Sequence, residues 1–251
     1  MTQKTSGISL FVDRERRTIE LKSAGFRTSF PIQTLPTNYV DSMLTMLDGP
    51  ESPEDKIRTI YQTTLTKAAV CTWNPYNVFP INVAQKVVRL TLVDEAIDEV
   101  VDELEGELLS LQGRPFESTI DERIDLYRRI YLDNSRLDLT ALGAIELFGD
   151  MTYNNILSEP RVVLSVLWRP RGEGGLMSYQ LNCVAEVVEP GAPYYRFMRA
   201  LRLLFSARFA SGNEDYKCAY RFWVCEVIEK SLSRADRGFI PGFLIRRVED
   251  Q

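Results

Sequence analysis

The chain of 251 residues contains no histidine. Ser-His-Asp and Cys-His catalysis are therefore impossible, as are the usual histidine-containing zinc sites. Histidine is also the only side chain whose unperturbed pKa lies near neutrality, so acid–base chemistry would need another group with a shifted pKa. The absence favours a protein that is not an enzyme, and the sequence predicts no catalytic residues, no metal ligands and no cofactor.

Long apolar runs and cysteine motifs are also missing. No run approaches the roughly 18 apolar residues that span a bilayer, and residues 1–7 contain no apolar stretch typical of a secretory signal. The cysteines form no Cys-x-x-Cys motif, so we expect buried or free thiols in a reducing compartment and a cytoplasmic location. The four cysteines are Cys71, Cys183, Cys218 and Cys225.

Charge is unevenly distributed along the chain. Residues 1–150 carry 16 basic and 24 acidic side chains, a net of −8, whereas residues 151–251 carry 14 basic and 11 acidic ones, a net of +3. This predicts an acidic, mainly helical region with an N-terminal β-hairpin over 1–150 and a basic α+β region over 151–251, which could form one continuous domain. Arginine outnumbers lysine by 23 to 7, and guanidinium groups suit bidentate pairing with carboxylates or phosphates.

Local patterns in the acidic half predict short strands followed by helices. Two β-type runs, 8–12 and 18–22, flank a charged loop and predict a hairpin, to which residues 25–30 could add a third strand. Capping residues and apolar periodicity then predict helices over 38–47, 53–70, 83–111, 118–132 and 138–148, the third with a strand-like start at 87–93 as the alternative.

The basic half has a different pattern. Apolar and alternating runs predict strands over 161–168, 176–188 and 216–227, with a helix over 194–209 before the last strand. The order β-β-α-β predicts one antiparallel sheet with a helix packed on it, and residues 238–245 could add an edge strand. The predicted fold class is therefore α+β.

Two of the predicted helices carry opposite charge. Arg196, Arg199 and Arg202 recur at i, i+3 and i+6 and form a basic ridge. The helix over 83–111 contains eight acids between residues 94 and 107, among them Asp94, Asp98 and Asp102. Both surfaces could simply be solvated. The ridge could also pair with the acids, within one molecule or between copies, or bind membrane phosphates or nucleic acid.

Two loops are further interaction candidates. Residues 71–82 contain Trp73, Tyr76 and Phe79 between prolines, and these rings either cap the core or anchor a partner. The glycine-rich loop over 169–175 lacks the spacing of a phosphate-binding P-loop and is typical of a hairpin turn. Its flanking residues, Arg169 and Arg171, could still contact an anionic surface.

One segment resembles a known family. Residues 152–164 (Thr-Tyr-Asn-Asn-Ile-Leu-Ser-Glu-Pro-Arg-Val-Val-Leu), followed by a strand ending at 184–188 (Val-Ala-Glu-Val-Val), are similar to the Thr-x-x-Asn-Leu…Pro-x-Val segment of flavin-binding split barrels. The resemblance covers about 40 residues, and the helical region before it departs from the usual strand order of that fold. It implies a flavin or another anionic cofactor in the C-terminal sheet.

These observations leave three functional hypotheses. The first is a non-enzymatic structural or adaptor protein that acts through protein–protein contacts and self-association, such as a viral matrix- or capsid-associated assembly protein. The second is a flavin- or anionic-ligand-binding protein that uses the C-terminal sheet. The third is a nucleic-acid-associated module, although the net charge of −5 argues against it.

Overall fold

A computed structural model describes residues 2–5, 8–23, 26–48, 52, 54–56, 65–170, 175–205 and 216–231. Helices and two antiparallel sheets make up this part of the chain, which confirms the α+β class. The strands are β1 (Thr2–Thr5), β2 (Ile8–Asp13), β3 (Thr18–Ser23), β4 (Phe26–Pro31), β5 (Lys67–Trp73), β6 (Ile81–Val87), β7 (Arg89–Leu92), β8 (Leu137–Glu146), β9 (Arg161–Trp168), β10 (Met177–Val188) and β11 (Cys218–Glu229). The α-helices are α1 (Thr37–Leu44), α2 (Asp94–Ser110), α3 (Ile120–Ile130), α4 (Met151–Ser158) and α5 (Pro193–Leu204).

The N-terminal strands form the smaller sheet, in the order β1-β2-β3-β4. The predicted hairpin is confirmed as β2 and β3, and the predicted third strand as β4. Side chains along β2 and β3 alternate between buried and exposed, as in a half-buried antiparallel sheet. The apolar residues of the buried face pack on the outer face of the larger sheet. The shared core contains Leu10, Ile19, Leu21, Ile32, Ala141, Val184, Trp223 and Cys225.

The larger sheet has seven strands in the order β6-β5-β9-β10-β11-β8-β7. It includes strands from both sides of residue 150. The predicted β-β-α-β unit is confirmed as β9, β10, α5 and β11, with β10 paired antiparallel to both of its neighbours. The strands of this unit are rich in β-branched and aromatic residues, which favour a pleated, buried surface.

The larger sheet curls so that two strands far apart in its order approach each other. Edge strand β6 pairs with β5 alone, yet the Lys86 Nζ of β6 lies 2.7 Å from the Glu146 Oε2 of β8. Between β6 and β8 the sheet is therefore open, and this opening forms the cleft described below.

Helix α5 lies directly against β8. A Cβ at Gly143 would lie within 3 Å of the Met198 sulfur and the Tyr194 hydroxyl, so a larger residue there would force these two side chains to shift. Helix α5 also packs on α2, where the Arg196 guanidinium meets Asp102 at 2.6 Å and Glu105 at 2.5 Å. One end of the basic ridge thus pairs with the acidic helix of the same molecule.

Two helix predictions are wrong. The segment 83–111 is not one helix: β6 ends at Val87, and only α2 is helical. The alternative of a strand-like start at 87–93 is confirmed by β7, Arg89–Leu92. The apolar start of this segment is too short for periodicity to separate strand from helix. Residues 138–148 fall mainly in β8, although alanine, leucine and glutamate favour helix. Pairing with β7 and β11 on either side overrides that propensity.

The remaining predictions differ mainly at their ends. The predicted loop 71–82 is shorter than expected, because β5 extends to Trp73 and β6 begins at Ile81. The predicted helix 53–70 ends in β5, and its residues 57–64 lie outside the described residues, as do 206–209 of the predicted helix 194–209 and the predicted edge strand at 238–245. The predicted helices 38–47 and 118–132 correspond to α1 and α3.

Candidate ligand-binding site

A cleft of about 400 Å³ lies between β6 and β8, with the C-terminal half of α5 on one side and the loop that leads into α4 on the other. This volume falls in the range of small-molecule sites, roughly 300–1,000 Å³. The lining contains three basic and two acidic side chains together with apolar ones. They are Asn82, Ala84, Gln85, Lys86, Val87, Arg89, Ile145, Glu146, Leu147, Phe148, Asp150, Met151, Thr152, Met198 and Arg202.

Glu146 is the best-satisfied charge in the cleft. Its carboxylate accepts hydrogen bonds from Lys86 Nζ at 2.7 Å, from the Tyr220 hydroxyl at 2.7 Å and from the Phe148 backbone N–H at 3.2 Å. Gly149, with a φ of +71°, shapes the turn that supplies these backbone groups. Burial acts to raise the pKa of Glu146, but the Lys86 and Tyr220 contacts outweigh it and hold the pKa below its usual value. Glu146 and Lys86 therefore neutralise each other.

Arg89 has the opposite surroundings. It is 4% exposed and lies at the start of β7, where it lines the cleft. Its guanidinium lies 5.9 Å from the centroid of the Phe205 ring and near the Tyr127 hydroxyl, and its Nη1 has no hydrogen-bond partner. Across the described ranges no carboxylate lies within salt-bridge distance of Arg89. A buried guanidinium without an anion is costly, so this position is suited to an anion from outside the chain.

Arg202 adds a second positive charge to the cleft. It follows Met198 by one helical turn on α5 and is partly buried. With Lys86 neutralised by Glu146, the charged groups left over are Arg89, Arg202 and the exposed Asp150. The cleft is therefore electropositive near Arg89.

The mouth of the cleft is apolar. The side chains of Phe148 and Met151 are 86% and 54% exposed, and Leu147 lies beside them. Ligand sites commonly combine such apolar surfaces with a few polar groups that fix orientation. The cleft thus offers a charged interior and a hydrophobic entrance.

Polar side chains hold α4 against the hairpin formed by β5 and β6. Asn155 donates to the Thr72 hydroxyl at 3.0 Å and accepts from Asn74 at 3.3 Å, while Asn82 donates to the Thr152 hydroxyl at 3.2 Å. Asn155 is 1% exposed, so this network is part of the core. It fixes the position of Thr152 in the cleft wall.

Two larger depressions are less suitable as anion sites. One, of about 480 Å³, lies on the outer face of β5, β9 and β10; its Arg161 is held by Glu159 at 2.6 Å. The other, of about 810 Å³, is an open groove whose Arg17 is exposed to solvent. Neither contains a buried guanidinium that lacks a carboxylate.

The predicted arginine ridge is only partly in the site. Arg202 lines the cleft, Arg196 is held by Asp102 and Glu105, and Arg199 lies between them on α5. Its hydrogen bonds to Glu105 and Asp102 raise the pKa of Arg196 above its usual value. The ridge is thus divided between an internal contact and the cleft.

The other predicted interaction residues lie away from the cleft. Asp94 is held by Arg14 and Arg221, whereas Asp98 is exposed on α2. Arg169 is exposed just beyond β9, and Arg171 lies outside the described residues. The rings of Trp73, Tyr76 and Phe79 are exposed at 43%, 92% and 83%, so they do not cap the core.

Sequence reasoning missed Arg89, Lys86 and Glu146. The signal for Arg89 was its position inside the apolar run Val87-Val88-Arg89-Leu90-Thr91-Leu92, because a charge within such a run is buried with its strand. The incorrect prediction of a helix over 83–111 includes Arg89, so it does not place this residue in a buried strand. Lys86 and Glu146 are 60 residues apart, and only the curl of the sheet brings them together.

No metal site and no membrane span accompany the cleft. Within the described ranges, no three cysteine or carboxylate side chains are arranged to hold a metal ion. The helices described here are too short or too polar to cross a bilayer. All four cysteines are free thiols, and burial raises the pKa values of Cys218 and Cys225 to about 12.

No protein-family model matches the chain, and neither does any curated protein sequence. Several solved structures are similar. HupZ from Group A Streptococcus is 15% identical, with a TM-score of 0.36 over 67% of this chain and 86% of that one. An FMN-binding protein from Syntrophomonas wolfei subsp. wolfei is 9% identical, with a TM-score of 0.40 over 78% and 88%. A FAD-binding protein from Mesorhizobium loti is 11% identical, with a TM-score of 0.36 over 66% and 84%.

These similarities contradict the first functional hypothesis. The similar structures are HupZ and proteins described as FMN- or FAD-binding, and none of the three is described as a viral, structural or self-assembling protein. The prediction of a viral matrix- or capsid-associated assembly protein is therefore wrong. The acidic and basic helices that suggested it meet within one molecule through Arg196.

Proposed function

We propose that the protein binds a small anionic ligand of the flavin-nucleotide class in the cleft between β6 and β8. The observation that carries the proposal is Arg89, a buried guanidinium that lines the cleft with one nitrogen unpartnered and with no carboxylate of the described residues within salt-bridge distance. A phosphate or carboxylate at Nη1 would supply the missing counter-charge, and charge-assisted hydrogen bonds of this kind are the strong ones.

The position of Arg202 supports a ligand with more than one negative charge. It lines the same cleft from α5, and no ion pair within the described residues neutralises it. Guanidinium groups present planar donor pairs that match phosphate oxygens. Lys86 contributes little to such binding because Glu146 already neutralises it.

The apolar mouth supports a ligand that joins its anionic group to a planar ring system. Phe148, Met151 and Leu147 provide surfaces against which a ring could pack. Flavin nucleotides combine a phosphate with such a ring. The segment 152–164 that resembles flavin-binding split barrels forms most of α4 and the start of β9, and its Thr152 lines the cleft.

Thermal unfolding with added ligand tests the proposal. A ligand at 100 times its Kd stabilises the folded state by about 2.7 kcal/mol, which corresponds to a Tm increase of roughly 5 °C or more for a chain of this size. FMN should produce such an increase, and riboflavin, which lacks the phosphate, should bind at least about tenfold more weakly. Arg89→Met and Arg202→Met should each weaken FMN binding.

Arg169→Met is the matched control, because Arg169 is an exposed arginine outside the cleft. It should leave FMN binding unchanged. No increase in Tm with FMN, FAD or inorganic phosphate would contradict the proposal. Equal binding of FMN and riboflavin would contradict the anion-binding role of Arg89.

A further inference from the structure

The hairpin of β5 and β6 ends in an exposed apolar tip. Tyr76, Val78 and Phe79 are 92%, 93% and 83% exposed, so these side chains extend almost entirely into solvent. Ile81 and Val83 continue the apolar surface along β6, with exposures of 64% and 57%. Scattered apolar residues are normal on a protein surface, but a contiguous group of this size marks an interaction site.

The part of this hairpin between Lys67 and Lys86 contains no charged residue. Lys67 and Lys86 bracket 18 residues without an aspartate, glutamate, lysine or arginine, although 26% of the whole chain is charged. Transfer of a charge out of water is costly, so its absence here removes a large barrier to burial of the tip. The tip can therefore enter an apolar phase without an ion to desolvate.

Part of the tip backbone is satisfied by its own hydrogen bonds. The N–H of Asn74 donates to the Pro80 carbonyl at 2.7 Å, that of Asn77 to the Asn74 carbonyl at 3.2 Å, and that of Tyr76 to Asn74 Oδ1 at 3.0 Å. Pro75 and Pro80 have no N–H to satisfy. None of the described hydrogen bonds involves the N–H groups of Val78 and Phe79 or the carbonyls of residues 75–79, so these groups need polar partners of the kind that the interfacial region of a bilayer retains and its hydrocarbon core lacks.

We propose that this tip inserts into the interfacial region of a lipid bilayer. Tyrosine, tryptophan and phenylalanine are suited to that region, and an exposed, uncharged loop can enter it without the desolvation of an ion. A protein partner fits the tip less well, because protein interfaces usually surround their aromatic anchors with a polar, charged rim. The proposal is independent of ligand binding in the cleft.

Tryptophan fluorescence with phosphatidylcholine vesicles tests the insertion. Trp73 lies at the base of the tip and is 43% exposed, whereas Trp168 and Trp223 are 3% and 1% exposed. Vesicles should therefore shift the emission of Trp73 to shorter wavelength, and brominated phosphatidylcholine should quench it. The protein should also co-sediment with the vesicles. One acyl chain alone gives a membrane binding constant of roughly 10⁴ M⁻¹, and a weaker anchor needs more lipid, so the lipid concentration should extend to about 5 mM.

Substitutions on the tip provide the decisive comparison. Val78→Ser together with Phe79→Ser should lower vesicle binding at least about tenfold and abolish the spectral shift. Both positions are exposed, so circular dichroism should show an unchanged fold. Leu132→Ser is the matched control, because Leu132 is 82% exposed elsewhere on the chain, and it should bind vesicles as the parent does.

Two results would overturn the proposal. The first is an absence of vesicle binding by the parent protein, which would favour a protein partner for the tip instead. The second is equal vesicle binding by the tip variant and the Leu132→Ser control. A comparison of vesicles with and without anionic lipid separates insertion from charge attraction. Binding should not depend on the anionic lipid, because the proposed insertion needs no anionic headgroup.

Discussion

Two strands of the larger sheet each bury one arginine, and the two side chains have opposite surroundings. Arg221 of β11 and Arg89 of β7 are 2% and 4% exposed. Arg221 pairs with Asp94, lies 3.9 Å from Glu186, and stacks 3.9 Å from the centroid of the Tyr194 ring. Arg89 has an aromatic neighbour, Phe205, but no carboxylate of the described residues lies within salt-bridge distance of it. The two arginines are therefore almost equally buried, and what distinguishes them is whether a carboxylate pairs with the guanidinium.

The contacts of Arg221 connect three parts of the fold. Asp94 begins α2 and also pairs with Arg14, from the loop between β2 and β3, at 3.2 Å. Glu186 of β10 accepts a hydrogen bond from the Trp223 indole at 2.9 Å. The cluster thus joins the smaller sheet, α2 and the larger sheet, which is a structural role. Within the described residues Arg89 joins no such elements through ion pairs, which is why we propose it for ligand binding.

Removal of the Arg221 charge should have the largest effect on stability. Arg221→Met leaves the carboxylates of Asp94 and Glu186 without their buried partner, and breaking a buried pair in this way costs about 3–5 kcal/mol. Urea unfolding monitored by tryptophan fluorescence measures the loss. Arg114→Met breaks an exposed pair with Glu122 and should have little effect on stability. Equal losses for the two variants would remove the structural assignment of Arg221.

Within the cleft, Glu146 should behave like the Arg221 cluster and unlike Arg89. Glu146→Gln weakens the contacts to Lys86 and Tyr220, so we expect a loss of about 1–3 kcal/mol near neutral pH. The pKa of Glu146 is lowered in the folded state, so its contribution is present above its ordinary value of 4.5 and disappears as the pH falls through the lowered pKa.

Urea unfolding of the parent and of Glu146→Gln across this range measures the difference. The two free energies of unfolding should converge at acid pH. A difference that stays constant well below pH 4.5 would show that Glu146 acts through its shape and not through its charge.

The C-terminal elements could be predicted from the sequence because their patterns are long and consistent. β9, β10, α5 and β11 each occupy 8 to 12 residues with a clear period. The segment 83–93 failed because β6 and β7 are short, and an apolar run of that length fits either a strand or the start of a helix. β8 failed because pairing on both sides outweighed the helix propensity of its residues.

The candidate site could not be predicted for a different reason. The spacing of Arg202 from the other arginines of α5 is enough to predict that it belongs to a basic face. Whether Arg89 meets a carboxylate of the described residues depends on everything packed around it, including Tyr127 of α3 and Phe205 just after α5, which are distant in sequence. A local pattern indicates that a charge is buried, but the tertiary structure decides whether it is paired.

The stability of ligand-free Arg89→Met tests the central claim most directly. If Arg89 contributes to ligand binding and not to stability, its replacement by methionine removes a buried charge and leaves no carboxylate without its partner. The free energy of unfolding should then stay within about 1 kcal/mol of the parent or exceed it, while FMN no longer raises the Tm. A loss of about 3 kcal/mol or more, as expected for Arg221→Met, would contradict the claim and make Arg89 a structural residue.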